Sequence, residues 1–213
     1  MTDPQRTLIA VLLDRSGSMA AIKSDAEGGF NTFIAEQRAQ SGDARVTLAQ
    51  FDTEYDVVYA NRPIGEVPPL ELQPRGATAL YDGVGRLITD VGAELAALAE
   101  NERPGTVIIV VVTDGHENSS REWTHDAVKA AIQRQESEYS WEFIFLGANM
   151  DAVAIGQQLG IAPDRSLTWD ASPKGVSGAF AATTNYVSRR RAGRGPVEGF
   201  SEAERTSARG GNA

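Results

Sequence analysis

Three short stretches, far apart in the chain, carry oxygen-bearing side chains where predicted strands end or a predicted helix begins. Two of them directly follow the apolar runs at 8–13 and 107–112, and the third precedes a long amphipathic helix. In an open α/β sheet, ligands bind at the carboxyl ends of the strands, so these side chains are expected at one edge of the sheet. The residues are Asp14, Ser16, Ser18, Thr78 and Asp114.

The spacing in the first stretch suits a cation. In an extended or gently turning loop, side chains two residues apart point the same way, so Asp14, Ser16 and Ser18 can converge on one ion. Gly17 lets the backbone bend between them without a steric penalty. One carboxylate and two hydroxyls form a hard set of oxygen ligands, which suits Mg²⁺, Mn²⁺ or Ca²⁺ rather than zinc.

The other two stretches complete the set with one hydroxyl and one carboxylate. Thr78 supplies the hydroxyl and Asp114 the second carboxylate. Two carboxylates at most leave a divalent ion with residual positive charge, so it should keep waters or accept a carboxylate from outside. Each piece alone is a common turn or strand exit, and it is their combination in this order that indicates a metal site.

The constellation resembles the metal-ion-dependent adhesion site of von Willebrand factor type A (VWA) domains, which is written D-x-S-x-S, a distant Thr and a distant Asp. All five positions are filled in order, and the resemblance covers roughly residues 7–190. It implies that Ser16 and Ser18 contact the metal directly, as Thr78 does in some states. It also implies that Asp14 and Asp114 often act through water, and that an acidic side chain of a partner protein takes the open position.

Strand and helix signals alternate along the chain, which predicts an α/β fold. We expect a three-layer, Rossmann-like, doubly wound sheet of six mostly parallel strands, with helices on both faces. The connection at 52–54 is short enough only for a hairpin, so one edge strand should run antiparallel. Predicted strands cover 8–13, 45–51, 55–60, 106–112, 141–146 and 166–169, and predicted helices about 25–40, 79–100, 124–135, 151–159 and 173–190.

Length and composition are consistent with one domain. A chain of 213 residues can bury one substantial core, so we assign 1–192 to a VWA domain and 193–213 to a flexible C-terminal tail with few large apolar residues. The chain has no cysteine, which excludes disulfides and thiolate sites. The first apolar run is too short for a signal-peptide core or a membrane span, so we expect a cytoplasmic bacterial protein that does not bind membranes.

Charge argues against binding to nucleic acid. The net charge is −9, and because residues 188–213 contribute six Arg and three Glu, or +3, the remaining chain carries −12. Phosphate contacts supply most of the affinity for nucleic acid, so an acidic body is unsuited to it. The basic run at 189–194 is interpreted as a solvated helix end. Arg15, Arg75 and Arg121 are candidates for attracting an acidic partner, and the sequence leaves the oligomeric state open.

Two other functions, phosphoester hydrolysis and nucleotide binding, compete with this hypothesis. A Mg²⁺-dependent phosphoester hydrolase needs a base or nucleophile beside the ion, and the nearest titratable group is His116 on a surface loop. A nucleotide-binding α/β protein needs a phosphate loop, but the chain has neither G-x-x-x-x-G-K-[ST] nor G-x-G-x-x-G after the first strand. Asp14 would also place a carboxylate where a pyrophosphate should lie. A metal-dependent protein-binding module, not an enzyme, is therefore the preferred hypothesis.

Overall fold

The computed structural model describes residues 1–193 and 197–211. Its six strands form one sheet in the order β3-β2-β1-β4-β5-β6. All neighbours are parallel except β2 and β3, which form an antiparallel hairpin at one edge. The predicted mixed sheet with one antiparallel edge strand is therefore confirmed. The strands are β1 (Asp3–Asp14), β2 (Asp43–Phe51), β3 (Tyr55–Pro63), β4 (Pro104–Thr113), β5 (Glu142–Ala148) and β6 (Ser166–Trp169).

Helices cover both faces of the sheet, as expected. The side chains of β1 alternate between the faces: Ile9, Val11 and Leu13 join the core under α1 and α5, while the residues between them pack under α2, α3 and α4. This two-sided burial explains why the central strands are continuous apolar runs. The helices are α1 (Lys23–Arg38), α2 (Leu80–Ala97), α3 (His125–Tyr139), α4 (Ala152–Gln158), α5 (Pro173–Ala192) and α6 (Glu202–Ala208).

The pairing of β1 with β4 determines where a ligand can bind. These central strands run in register from Thr7 opposite Thr106 to Leu13 opposite Val112, so both end at the same level. From β1 the chain proceeds outward to β2 on one side, and from β4 to β5 on the other. The loops after β1 and β4 therefore diverge and leave a crevice, which is the usual ligand site of doubly wound folds.

The last described segment differs from the expectation of a flexible tail. Residues 197–211 fold back onto the sheet: Phe200 and Ala208 are buried in the core, and Ser201 and Glu204 form a capping box that starts α6. Arg205 donates to the carbonyl oxygens of three residues at 163–166. The parts of the predicted tail at 194–196 and 212–213 lie outside the described residues.

Two features explain why composition gave a wrong expectation here. Gly178 on α5 lets the backbone of α6 approach closely, since a β-carbon there would lie 2.7 Å from the carbonyl oxygen of Ser207. The arginines of the basic run at 189–191 are also not simply solvated. Arg189 bonds with Glu204, Arg190 with Glu142, and Arg191 with the backbone carbonyl of Gln37.

Among the helices of the described residues, none has the length and apolarity that a bilayer crossing requires.

We predict that Phe200→Ala lowers the free energy of unfolding by about 2–4 kcal/mol, because it removes a buried aromatic ring that contacts Tyr186. Glu202→Gln, on the exposed side of α6, is the matched control and should change stability by less than about 0.5 kcal/mol. Urea denaturation of both variants measures the difference. Equal stability of Phe200→Ala and the unmodified protein would mean that the segment does not dock.

Candidate metal centre

Hydrogen bonds connect the side chains of β1 and β4 at the crevice. Oδ2 of Asp14 accepts a hydrogen bond from Oγ1 of Thr113 at 2.6 Å, and its Oδ1 accepts one from the backbone N–H of Ser16 at 2.6 Å. The hydroxyl oxygens of Ser16 and Ser18 lie 3.1 Å apart. Ser18 in turn donates to Oδ1 of Asp114 at 2.7 Å. Four of the five predicted ligands therefore form one continuous cluster.

Asp14 is the buried end of this cluster. Its side chain is fully shielded from solvent, and this burial raises its pKa from 3.8 to about 6, even though hydrogen bonds from Thr113 and Ser16 act in the opposite direction. Burial also raises the pKa of Asp114, against the hydrogen bond from Ser18. Both carboxyl groups are thus held in surroundings that disfavour negative charge.

No side-chain cation of the described residues forms an ion pair with either carboxylate. The nearest arginine in the chain, Arg15, instead bonds with Asp52 at 2.8 Å and with Asp56. Arg75 likewise pairs with Asp52 and Glu54. Arg15 and Arg75 are thus already paired with acids of the same chain, and their role in attracting an acidic partner stays a prediction.

Thr78 lies beside the cluster without a direct hydrogen bond to the other four ligands among the described residues. Its side chain is buried, and a β-carbon on Gly115 would lie only 2.7 Å from its hydroxyl oxygen, so Thr78 faces the loop that carries Asp114. Thr78 lies one residue before the N-cap position of α2. Ala79 takes that position, without a side-chain cap.

The loop at 115–123 holds Thr78 and the start of α2 in place. Asn118 accepts a hydrogen bond from the backbone N–H of Thr78 through its side chain and donates its own N–H to the Thr78 carbonyl. Glu117 accepts from the N–H of Tyr81 in the first turn of α2. The carboxylate of Asp82, on α2, accepts hydrogen bonds from the backbone N–H groups of residues 121–123. The roles of these residues are not visible in the sequence, because their bonding partners are about 40 positions away.

The donor geometry suits a small, hard cation. Mg²⁺ binds oxygen at about 2.0–2.1 Å in an octahedron, so adjacent ligand oxygens should be about 3 Å apart. The Ser16–Ser18 and Ser18–Asp114 oxygen pairs, at 3.1 and 2.7 Å, have this separation. Within the described residues there is no cluster of three or more Asp, Glu, His or Cys that could hold a metal. A site here therefore depends on hydroxyls as well as carboxylates, and its metal ligation remains a prediction.

Comparison with solved structures finds similar folds in proteins of diverse origin. A von Willebrand factor type A protein from Catenulispora acidiphila superposes with a TM-score of 0.56 at 17% identity, over 84% of this chain and 42% of that one. The vWF domain of the type V pili tip protein Mfa5 from Porphyromonas gingivalis gives 0.61 at 12% identity, over 92% of this chain and 99% of that one.

A third match is proximal thread matrix protein 1 from the mussel byssus, in a structure with a zinc-occupied MIDAS motif. Its TM-score is 0.58 at 15% identity, over 84% of this chain and 47% of that one. This chain thus spans less than half the length of the mussel and Catenulispora proteins. No protein-family model matches the sequence, and no curated protein matches it. At these identities the likeness shows the fold alone.

The raised pKa of Asp14 predicts a pH effect on the metal-free protein. A carboxyl whose pKa is about 6 in the folded state and 3.8 when unfolded destabilises the fold as pH rises through that window, and the full cost is present above pH 6. We expect Asp14→Asn to stabilise the protein in EDTA at pH 7.5 by roughly 1–3 kcal/mol. The amide can still accept from Ser16 and donate to Thr113.

Denaturant titrations in EDTA between pH 4 and 8 measure this effect. The advantage of Asp14→Asn should shrink as pH falls from 6 towards 4, where Asp14 becomes protonated in the folded protein. Glu36→Gln, at an exposed carboxyl on α1, is the control and should follow the unmodified protein. A less stable Asp14→Asn at pH 7.5 would show that the buried carboxylate contributes to folding without a metal.

Proposed function

We propose that this chain, which has the fold of von Willebrand factor type A domains, is a metal-dependent protein-binding module. One observation carries the proposal. Asp14 and Asp114 are joined through Ser16 and Ser18 at the crevice between β1 and β4, and no cationic side chain of the described residues pairs with either acid. A divalent cation would supply the missing positive charge and would use the hydroxyls as additional ligands.

The proposed ligand set is Asp14, Ser16, Ser18, Thr78 and Asp114, acting directly or through water. A bound metal would supply a Lewis-acidic centre to which ligands from outside the chain could bind. The hard oxygen donors of the proposed ligand set favour Mg²⁺, Mn²⁺ or Ca²⁺. The mussel protein's motif holds zinc, so zinc must be tested as a competitor. A ligand set with only oxygen donors nevertheless favours the first three ions, because zinc sites in proteins usually include histidine or cysteine.

The proposed partner group is an Asp or Glu side chain of another protein. The two carboxylates of this chain balance the charge of a divalent ion without exceeding it. A third carboxylate can therefore bind at a coordination position that this chain does not fill. The domain is acidic overall and would repel such a ligand elsewhere on its surface, which makes the ion the local attraction. Arg121 is exposed and forms no ion pair within the described part of the chain, so it remains a candidate for assisting.

Catalysis is less well supported than binding. Glu117 and Asp82, the acids of the neighbouring loop and helix, accept backbone N–H groups that fix the loop, which leaves them poorly placed to act as bases. His116 is exposed and forms no hydrogen bond among those found for the described residues. We therefore propose that the site captures a ligand rather than transforming it.

Metal binding is tested by titrating the protein with MgCl₂ and MnCl₂ in a calorimeter and with zinc in parallel. Ser16→Ala and Ser18→Ala should each weaken binding by more than roughly tenfold, because each removes one of only a few protein ligands. Ser24→Ala changes an exposed serine in the first turn of α1 that is not a proposed ligand, and it is the matched control. Unchanged affinity in both ligand variants would refute the assignment.

The partner chemistry is tested with the metal-loaded protein and short soluble carboxylates, followed by a pull-down with and without EDTA. Acetate or a glutamate-containing peptide should bind in Mg²⁺ and not in EDTA, while the corresponding glutamine peptide should not bind in either. Thr78→Ala should weaken the peptide more than it lowers the melting temperature. Equal binding of the two peptides would mean that the partner does not engage the ion through a carboxylate.

A further inference from the structure

Asp52, at the end of β2, is buried within a network that reaches two of the three site loops. Only 1% of its side chain is exposed, and its Oδ2 accepts hydrogen bonds from Nε of both Arg15 and Arg75, each at 2.8 Å. Its Oδ1 accepts the backbone N–H of Glu54 at 2.6 Å. Both arginines adjoin site residues: Arg15 lies between Asp14 and Ser16, and Arg75 precedes the turn that leads to Thr78.

Backbone hydrogen bonds connect the same segments. The N–H of Arg15 donates to the carbonyl of Phe51, and the N–H of Arg75 donates to the carbonyl of Arg15, both at 2.8 Å. The N–H of Gly17 donates to the carbonyl of Gly76 at 3.2 Å, and the N–H of Ala79 donates to the carbonyl of Asp52 at 2.9 Å. The loop after β1, the loop before α2 and the β2–β3 hairpin are thus bonded to one another around Asp52.

Gly76 shows how tightly these parts fit. Its φ of +67° is in the left-handed region, and a β-carbon there would lie 3.1 Å from Oγ1 of Thr53 and 3.4 Å from the β-carbon of Asp52. Glycine is the residue that adopts this φ without strain and leaves room for Asp52. The path of the chain into Thr78 is therefore set against the Asp52 side chain.

We propose that Asp52 is a positioning residue of the metal centre, which holds the Ser16–Ser18 loop and the Thr78 loop in register through Arg15 and Arg75. The inference rests on the proposed function, because it concerns ligands of that metal. Asp52 does not touch the ion. It acts as outer-layer groups of metal sites do, by fixing the residues that carry the ligands, and the loss of such groups typically lowers metal affinity about 10–100-fold.

Asp52→Asn is the direct test. The amide oxygen can still accept from Glu54, but an NH₂ group replaces the oxygen that both guanidinium groups share, so the link between the two loops is lost while the volume is kept. Calorimetry should show roughly 10–100-fold weaker Mg²⁺ binding. Glu54→Gln, which removes only the outer partner of Arg75, is the matched control and should stay within about twofold.

Amide hydrogen exchange gives a readout that a general loss of stability would not reproduce. In Asp52→Asn the N–H groups of Gly17 and Arg75, which bond between the loops, should exchange faster, while the N–H of Val11 inside β1 should not change. If Asp52→Asn does not fold, Arg75→Gln decides the question. Arg75 is 54% exposed, so its loss should spare the fold and still weaken metal binding severalfold.

The outcomes separate this inference from the function on which it rests. Failure of the unmodified chain to bind metal would remove the proposed function, and this inference with it. Normal metal binding by the unmodified protein together with binding within twofold by folded Asp52→Asn, or by Arg75→Gln if that must replace it, would overturn the inference alone. So would unchanged exchange at Gly17 and Arg75. Weaker binding with faster exchange at those two amides would support it.

Discussion

The burial of Asp14 at the end of β1 is the constraint around which the loops at the carboxyl ends of the central strands are arranged. A carboxylate without solvent is costly unless charge or hydrogen bonds compensate it. Here Thr113 and Ser16 supply hydrogen bonds, while the adjacent Arg15 pairs with Asp52 instead. The cluster is therefore left with a deficit of positive charge. A buried acid without a basic partner is easier to explain as part of a binding site than as part of the core.

The two networks at this edge differ in their charged groups, since only one of them contains basic residues. One joins Asp14 and Asp114 through two serines and contains no basic residue among the described contacts. The other places Arg15 and Arg75 against Asp52, whose pKa is lowered because the Glu54 N–H and the two guanidinium groups outweigh the effect of burial. Because Asp52 pairs with both arginines at the hairpin, the first network has no basic partner among the described residues, as the proposed cation site requires. This separation of the arginines from the Asp14–Asp114 cluster is consistent with the proposed metal site.

The fold and the cluster formed by four of the five predicted ligands followed from features that are local in sequence. Apolar runs identified β1 and β4, and ligands that follow buried parallel strands must meet at one edge. Thr113 and Asp52 could not be assigned a role in this way, because the partners that define them lie 99 and 37 positions away. The folded segment at 197–211 was missed for a related reason. Its anchoring through Arg205 uses backbone carbonyl groups, which are invisible in composition.

The docking of α6 also bears on how this sheet avoids pairing with other chains. Exposed strand edges are templates for aggregation. At one end of the sheet, Arg205 binds the carbonyl of Ser166 and the carbonyl of Ala208 accepts the N–H of Asp170, so backbone groups at both ends of β6 are engaged. At the other end, the β2–β3 pairing shifts register on both sides of Leu48, and Asn61 adopts a φ of +45°. The C-terminal helix thus shields one sheet edge, whereas irregular backbone disrupts the other.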